Sequence, residues 1–157
     1  MFEPESEGDK YMLTNDEAEH LLEALKELKS DRTIDFPEAG GNLQLEASTT
    51  VNGKEHFLID VNRKGSIKIK KATYQTRYLK YIPLLRLDIN GPSHTNPDLE
   101  EIPCPHIHIY REGHDDKWAY PLPKNFSNPD DLIQTLKEFL MYNNIKDIPY
   151  IQEGGLV

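Results

Sequence analysis

Residues 43–61 read LQLEASTTVNGKEHFLIDV, and this stretch decides the fold class. Leu43, Leu45 and Ala47 alternate with polar residues before Asn52-Gly53, and Phe57, Ile59 and Val61 alternate again after it. Alternation at period two marks a strand with one buried face, and Asn-Gly supplies the positive-φ positions of a tight hairpin turn. The two runs are therefore predicted to pair antiparallel, with one apolar and one polar face.

Upstream, Ile34 and Phe36 alternate before a Pro-Glu-Ala-Gly-Gly loop. Before them, Thr14 and Glu17 have the spacing of a capping box, and Ala18, Leu21, Leu22, Leu25 and Leu28 repeat at helical spacing. The pattern predicts a helix running to Ser30 and Asp31, with Glu19, Glu23 and Glu27 as an acidic stripe on its outer face. Residues 1–12 are polar and contain Pro4 and Gly8, the composition of a flexible tail.

Downstream, Lys64-Gly65 makes a second turn, leading to Ile67 and Ile69. Tyr74, Tyr78 and Tyr81 interleave with Arg77 and Lys80, which suits either base stacking or tyrosines packed against basic stems. Leu84, Leu85, Leu87 and Ile89 form the least polar strand, expected to be central. Residues 103–110 and 118–122 read as two more strands. Asn128 is the expected cap of a last helix, with Pro129 at its first position and Leu132, Ile133, Leu136, Phe139, Leu140 and Asn143 as its stripe. The expected fold is one α+β domain spanning 1–157: a mainly antiparallel sheet of about six strands, flanked by an N-terminal and a C-terminal helix.

The formal charge of -9 is unevenly spread. Residues 1–60 carry 15 acids against 5 bases, 61–86 carry 8 bases and no acid, and 87–157 carry 12 acids against 5 bases. The acidic total disfavours non-specific nucleic-acid binding, whereas the basic block would either face phosphates or pair with neighbouring acids. No apolar run approaches the length of a membrane span, and MFEPESEGDK lacks the basic-then-apolar order of a secretory signal. A single cysteine forms no internal disulfide. A cytoplasmic monomer is the expectation.

Four of the six histidines lie between Ile89 and Tyr120. In Pro-Cys-Pro-His-Ile-His-Ile-Tyr, alternation puts Cys104, His106, His108 and Tyr110 on one face. His106 and His108, about 6.6 Å apart along a strand, can reach one ion. His94, from the preceding turn-rich loop, is the expected third ligand, of the type zinc prefers. Cys104 would lie about 13 Å from His108 in an extended strand, so it ligates only if Pro103 and Pro105 bend the chain. Asp88 and His114 are reserve ligands. With Cys104 the site is a closed structural zinc site, a brace for the loop; without it, water completes the shell and catalysis becomes possible. Two other readings use the same residues. One is a metal-free endoribonuclease with His106, His108 and Tyr110 as acid and base; the other is a cupin-like metal enzyme, from His-x-His followed by Glu112, although cupin glycines are missing.

The stretch LLRLDINGPSHTNPDLEEIPCPHIHIYREGHDDKWAYPLP resembles a family of small proteins from Gram-positive bacteria and their phages and prophages. The similarity extends from the helix at Thr14 to the one at Asn128. It is also similar to phage-encoded anti-CRISPR proteins that inhibit Cas9. That resemblance implies a zinc-containing inhibitor that binds a Cas9-type nuclease and hinders DNA loading or cleavage, which leans away from an enzyme and leaves that question open. Glu19, Glu23 and Glu27 would be the contacts with its basic channel.

Overall fold

The computed structural model describes residues 12–29, 33–65 and 70–154. In chain order the elements are α1 (Asn15–Glu23), β1 (Lys26–Leu28), β2 (Thr33–Phe36), β3 (Asn42–Thr49), β4 (His56–Asn62), β5 (Ala72–Tyr78), β6 (Ile82–Ile89), β7 (His94–Thr95), β8 (Glu101–Ile102), β9 (His106–Ile109), β10 (Ala119–Pro121), α2 (Leu132–Tyr142), β11 (Ile145–Lys146) and β12 (Tyr150–Glu153). The main sheet has eight strands in the order β10-β9-β6-β5-β4-β3-β1-β11. Its pairs are antiparallel except β1 with β11. β2 and β12 form a parallel pair, and β7 and β8 a short antiparallel ribbon. The α+β class and the two flanking helices agree with the sequence pattern. The flexible-tail reading and the strand through Ile67 and Ile69 fall wholly or mostly outside the described residues.

One face of the sheet carries the core. Phe57, Ile59 and Val61 of β4, Tyr74 of β5, Leu85 and Leu87 of β6 and Ile107 of β9 are all buried. α2 covers this face with Leu136, Phe139 and Leu140. Tyr74 Oη donates to Leu132 O over 2.7 Å, and Thr76 Oγ1 donates to Asn143 Oδ1 over 2.6 Å. The tyrosine series is thereby divided: Tyr74 and Tyr78 are core, and only Tyr81 is exposed. No helix among the described residues is long and apolar enough to cross a membrane.

Both helices begin or end away from the expected residues. α1 stops at Glu23 rather than at Ser30, and Leu28 lies on a strand. Lys26 is the cause. It is fully buried, its amide donates to Asn144 O, and its ammonium donates to Leu22 O, Ala24 O and Asn143 O at 2.8–3.0 Å. These bonds satisfy carbonyls at the ends of both helices, and they outweigh the modest helix propensity of the segment. The expected acidic stripe is correspondingly split, with Glu19 and Glu23 exposed on α1 and Glu27 exposed on β1. α2 is capped by Asp131, which accepts from Gln134 N over 3.0 Å. Asn128 closes a turn ahead of the helix, its side chain accepting from Asp130 N and its carbonyl from Asp131 N.

Candidate metal centre

β6 and β9 pair with Asp88 opposite His106 and Arg86 opposite His108. Because Leu85, Leu87 and Ile107 turn to the core, these four side chains share the other face. The ladder continues the pattern across the sheet. One row runs Asn42, Asn62, Thr73, Asp88, His106, and the next runs Gln44, Asp60, Gln75, Arg86, His108. Both rows are polar throughout.

The loop from Asn90 to Pro105 covers the end of these rows. Asn96 is 2% exposed and fastens the loop to β10: its Nδ2 donates to Ala119 O over 2.9 Å and its Oδ1 accepts from Ala119 N over 2.8 Å. The side-chain amide therefore takes the place of another strand at that edge, leaving His106 and His108 1% and 0% exposed.

Ring orientation follows from partners that can only accept. His106 Nδ1 donates to Pro103 O over 3.2 Å, and His108 Nδ1 donates to Asp116 O over 2.8 Å. In a neutral ring the remaining Nε2 is then a lone pair. Both Nε2 atoms meet Asp88 Oδ2, at 3.1 Å and 3.2 Å. Three acceptors converging in this way need positive charge among them, from extra protons on the rings or from a metal ion. Imidazoles that donate their other N–H to a carbonyl are characteristic of metal ligands, since the bond fixes the tautomer and aims the lone pair.

Arg86 supplies part of the charge. Its Nη2 donates to His108 Nε2 over 3.0 Å, while its other nitrogens reach Asp88 and Asp116 at 3.2 Å and 2.8 Å. Burial alone would raise the Asp88 carboxyl. Hydrogen bonding to His108, the charge of Arg86 and hydrogen bonding to His106 outweigh burial and hold Asp88 well below the usual carboxylate range. An ionised carboxylate is the form that ligates a cation.

Asp88, His106 and His108 thus form a group that could hold a metal ion, with ligand atoms all within 4.8 Å of one another. Asp88, a reserve ligand by sequence, stands at its centre. His94 adjoins it without joining it: its ring lies 4.6 Å from that of His108, and its Nε2 donates to Lys117 O over 2.7 Å. Cys104 turns the other way. Its thiol donates to Asp88 O and accepts from Gly91 N, and burial raises its pKa. His114 packs against Trp118. Tyr110 and Glu112, named for the ribonuclease and cupin readings, both reach the start of α1. Tyr110 Oη donates to Leu13 O over 2.8 Å, and Glu112 accepts from Asn15 N.

Asp88 and His106 of the group, with His94, line a cleft of about 800 Å³, and His108 lies buried behind them. Within the basic block, Arg77 is held by Asp60 at 2.6 Å, whereas Lys64 and Lys71 line the cleft with no ion pair among the described residues.

No curated protein and no solved structure matches the chain. A family model does match, over residues 13–145, a span that takes in the helix cap, the whole of the main sheet through Ile145 and all the residues of the centre. The chain therefore belongs to DUF6978, a family of unknown function.

Proposed function

We propose that Asp88, His106 and His108 bind a zinc ion and leave a coordination position facing the cleft, so that the centre acts hydrolytically on a molecule bound there. The observation that carries this reading is the convergence of two lone-pair nitrogens and a carboxylate oxygen, with both Nδ1 hydrogens committed to carbonyls. Two nitrogens and one oxygen match the donor type of open, catalytic zinc sites; closed structural sites are built largely on thiolates, and the only thiol is engaged elsewhere. Zinc held by such a set lowers the pKa of its bound water to about 7. In this arrangement Pro103 O and Asp116 O orient the rings, and His94 lies edge-on to His108 in the lining of the cleft.

Elemental analysis of protein purified without chelator tests the reading. One zinc per chain is expected, and it should be lost in Asp88→Ala and His106→Ala variants that retain their circular dichroism. Absence of any bound transition metal, with no uptake on adding zinc, would overturn it.

A second reading rests on the acidic surface. Glu19 and Glu23 are exposed on α1 and Glu27 on β1, a layout that supports binding to a basic protein such as a Cas9-type nuclease. Capture of Cas9 at low salt that is lost on charge reversal at these three positions is the expected result. Failure to capture it would end that proposal.

A further inference from the structure

We propose that the cleft is the binding site of a small phosphate ester of a polyol, such as a sugar phosphate, with the phosphate toward the centre and the hydroxyl-bearing part on the amide floor. The inference builds on the zinc reading only at the deep end of the cleft; the remainder stands on the lining itself.

Charge is the first argument. A chain of formal charge -9 builds this cleft from four cations, Lys64, Lys71, Arg77 and Arg86, against two carboxylates, Asp60 and Asp88. Both carboxylates are already countered by arginine, Asp60 by Arg77 and Asp88 by Arg86. The two lysines are left over, and both border the cleft. Lys71 runs beside Gly91, at the root of the loop that carries His94, which places it on the wall of the cleft. An anion entering the cleft meets these lysines without having to break an existing pair.

The floor is the second argument. The two cross-strand rows present the amides of Asn42, Asn62 and Gln75, none of which makes a side-chain hydrogen bond among the described residues. Each amide offers two donors and an acceptor, the complement of a row of hydroxyls. The lining contains no Phe, Tyr or Trp, since Tyr74 and Tyr78 face the core. Stacking, which dominates sequence-tolerant single-strand binding, therefore has no platform here. The volume of about 800 Å³ lies in the range of small-molecule sites.

Isothermal titration of the full chain with ribose 5-phosphate, ribose and a ten-nucleotide RNA, with and without one equivalent of zinc, tests the proposal. Ribose 5-phosphate is expected to bind at least tenfold more tightly than ribose. The double substitution Lys64→Ala and Lys71→Ala should weaken it at least tenfold while leaving zinc content unchanged. Gln75→Ala, on the floor, should reduce affinity for the phosphate ester with both lysines intact. Lysine-dependent binding in protein that takes up no zinc would support the cleft assignment and count only against the metal reading. No binding at millimolar ribose 5-phosphate, or binding indifferent to the lysines, would overturn it. So would RNA binding a hundredfold tighter than the monomer.

Discussion

Asp88 and His106 face each other across the β6–β9 ladder, with Asp88 Oδ2 3.1 Å from His106 Nε2, although 18 positions of sequence separate them. The pair meets only because two strands align in one register, and every property of the centre depends on that alignment.

Metal removal gives the first prediction. At a zinc concentration a hundredfold above Kd, binding adds about 2.7 kcal/mol to stability, so chelation should lower Tm by roughly 5–10 °C. Asp88→Ala should abolish that difference, reducing zinc affinity by about a hundredfold or more. Cys104→Ser should leave both the stoichiometry and the chelation effect intact, because the thiol bonds to Asp88 O and Gly91 N rather than to the centre. A parallel loss of zinc in Cys104→Ser would contradict the geometry.

Arg86 donates into the lone pair that a metal ion would take on His108. Guanidinium and metal therefore compete for one nitrogen, and their charges repel. Arg86→Ala is expected to tighten zinc binding by about tenfold, equivalent to roughly 1.4 kcal/mol. Weaker binding in this variant, measured by competition with a chromogenic chelator, would mean that Arg86 serves mainly to orient Asp88.

Lys26 gives a prediction in pH. Burial lowers its pKa from 10.5 to about 8, so between these values the unfolded chain holds more protons than the folded one. Stability contributed at this position should therefore rise as pH climbs from about 8 to about 10.5, the charge penalty being fully present below pH 8. Lys26→Met should lose this dependence. At neutral pH it should also cost roughly 2–4 kcal/mol by leaving three carbonyls without their donor. Urea midpoints of the two proteins across that range provide the comparison.

Asn96→Ala removes both bonds to the Ala119 backbone at the edge of the sheet. A loss of about 2–3 kcal/mol is expected, together with faster amide exchange at Ala119. Unchanged exchange there would show that β10 is held by β9 alone.

The pairing of the hairpin at 43–61 was legible because both runs alternate at period two, but its connection is wider than a tight Asn-Gly turn: it spans residues 50–55, with Gly53 and not Asn52 at positive φ. β1 was not, because Lys-Glu-Leu at 26–28 continues a helical pattern that is interrupted by distant partners, the strands β3 and β11 and the carbonyls of Asn143 and Asn144. Alternation places His106 and His108 on one face, and the structure has them there. The role of Asp88 depends on cross-strand register, and the clamp made by Asn96 depends on a loop folding back 23 positions; neither leaves a local periodic signal. Tyr110 continues the alternation on paper, but it lies beyond the end of β9 and is drawn to the backbone of Leu13.

The two polar rows bear on how the chain folds. If β6 slipped by a single position against β9, Asp88 and Arg86 would point inward and Leu87 and Ile89 outward, and the histidines would face no carboxylate. Only the native pairing presents two nitrogens and an oxygen to one ion. If the centre takes up zinc as proposed, the rate of zinc capture by refolding protein would be a clock for one event, the correct docking of β9 on β6, readable without labelling either strand.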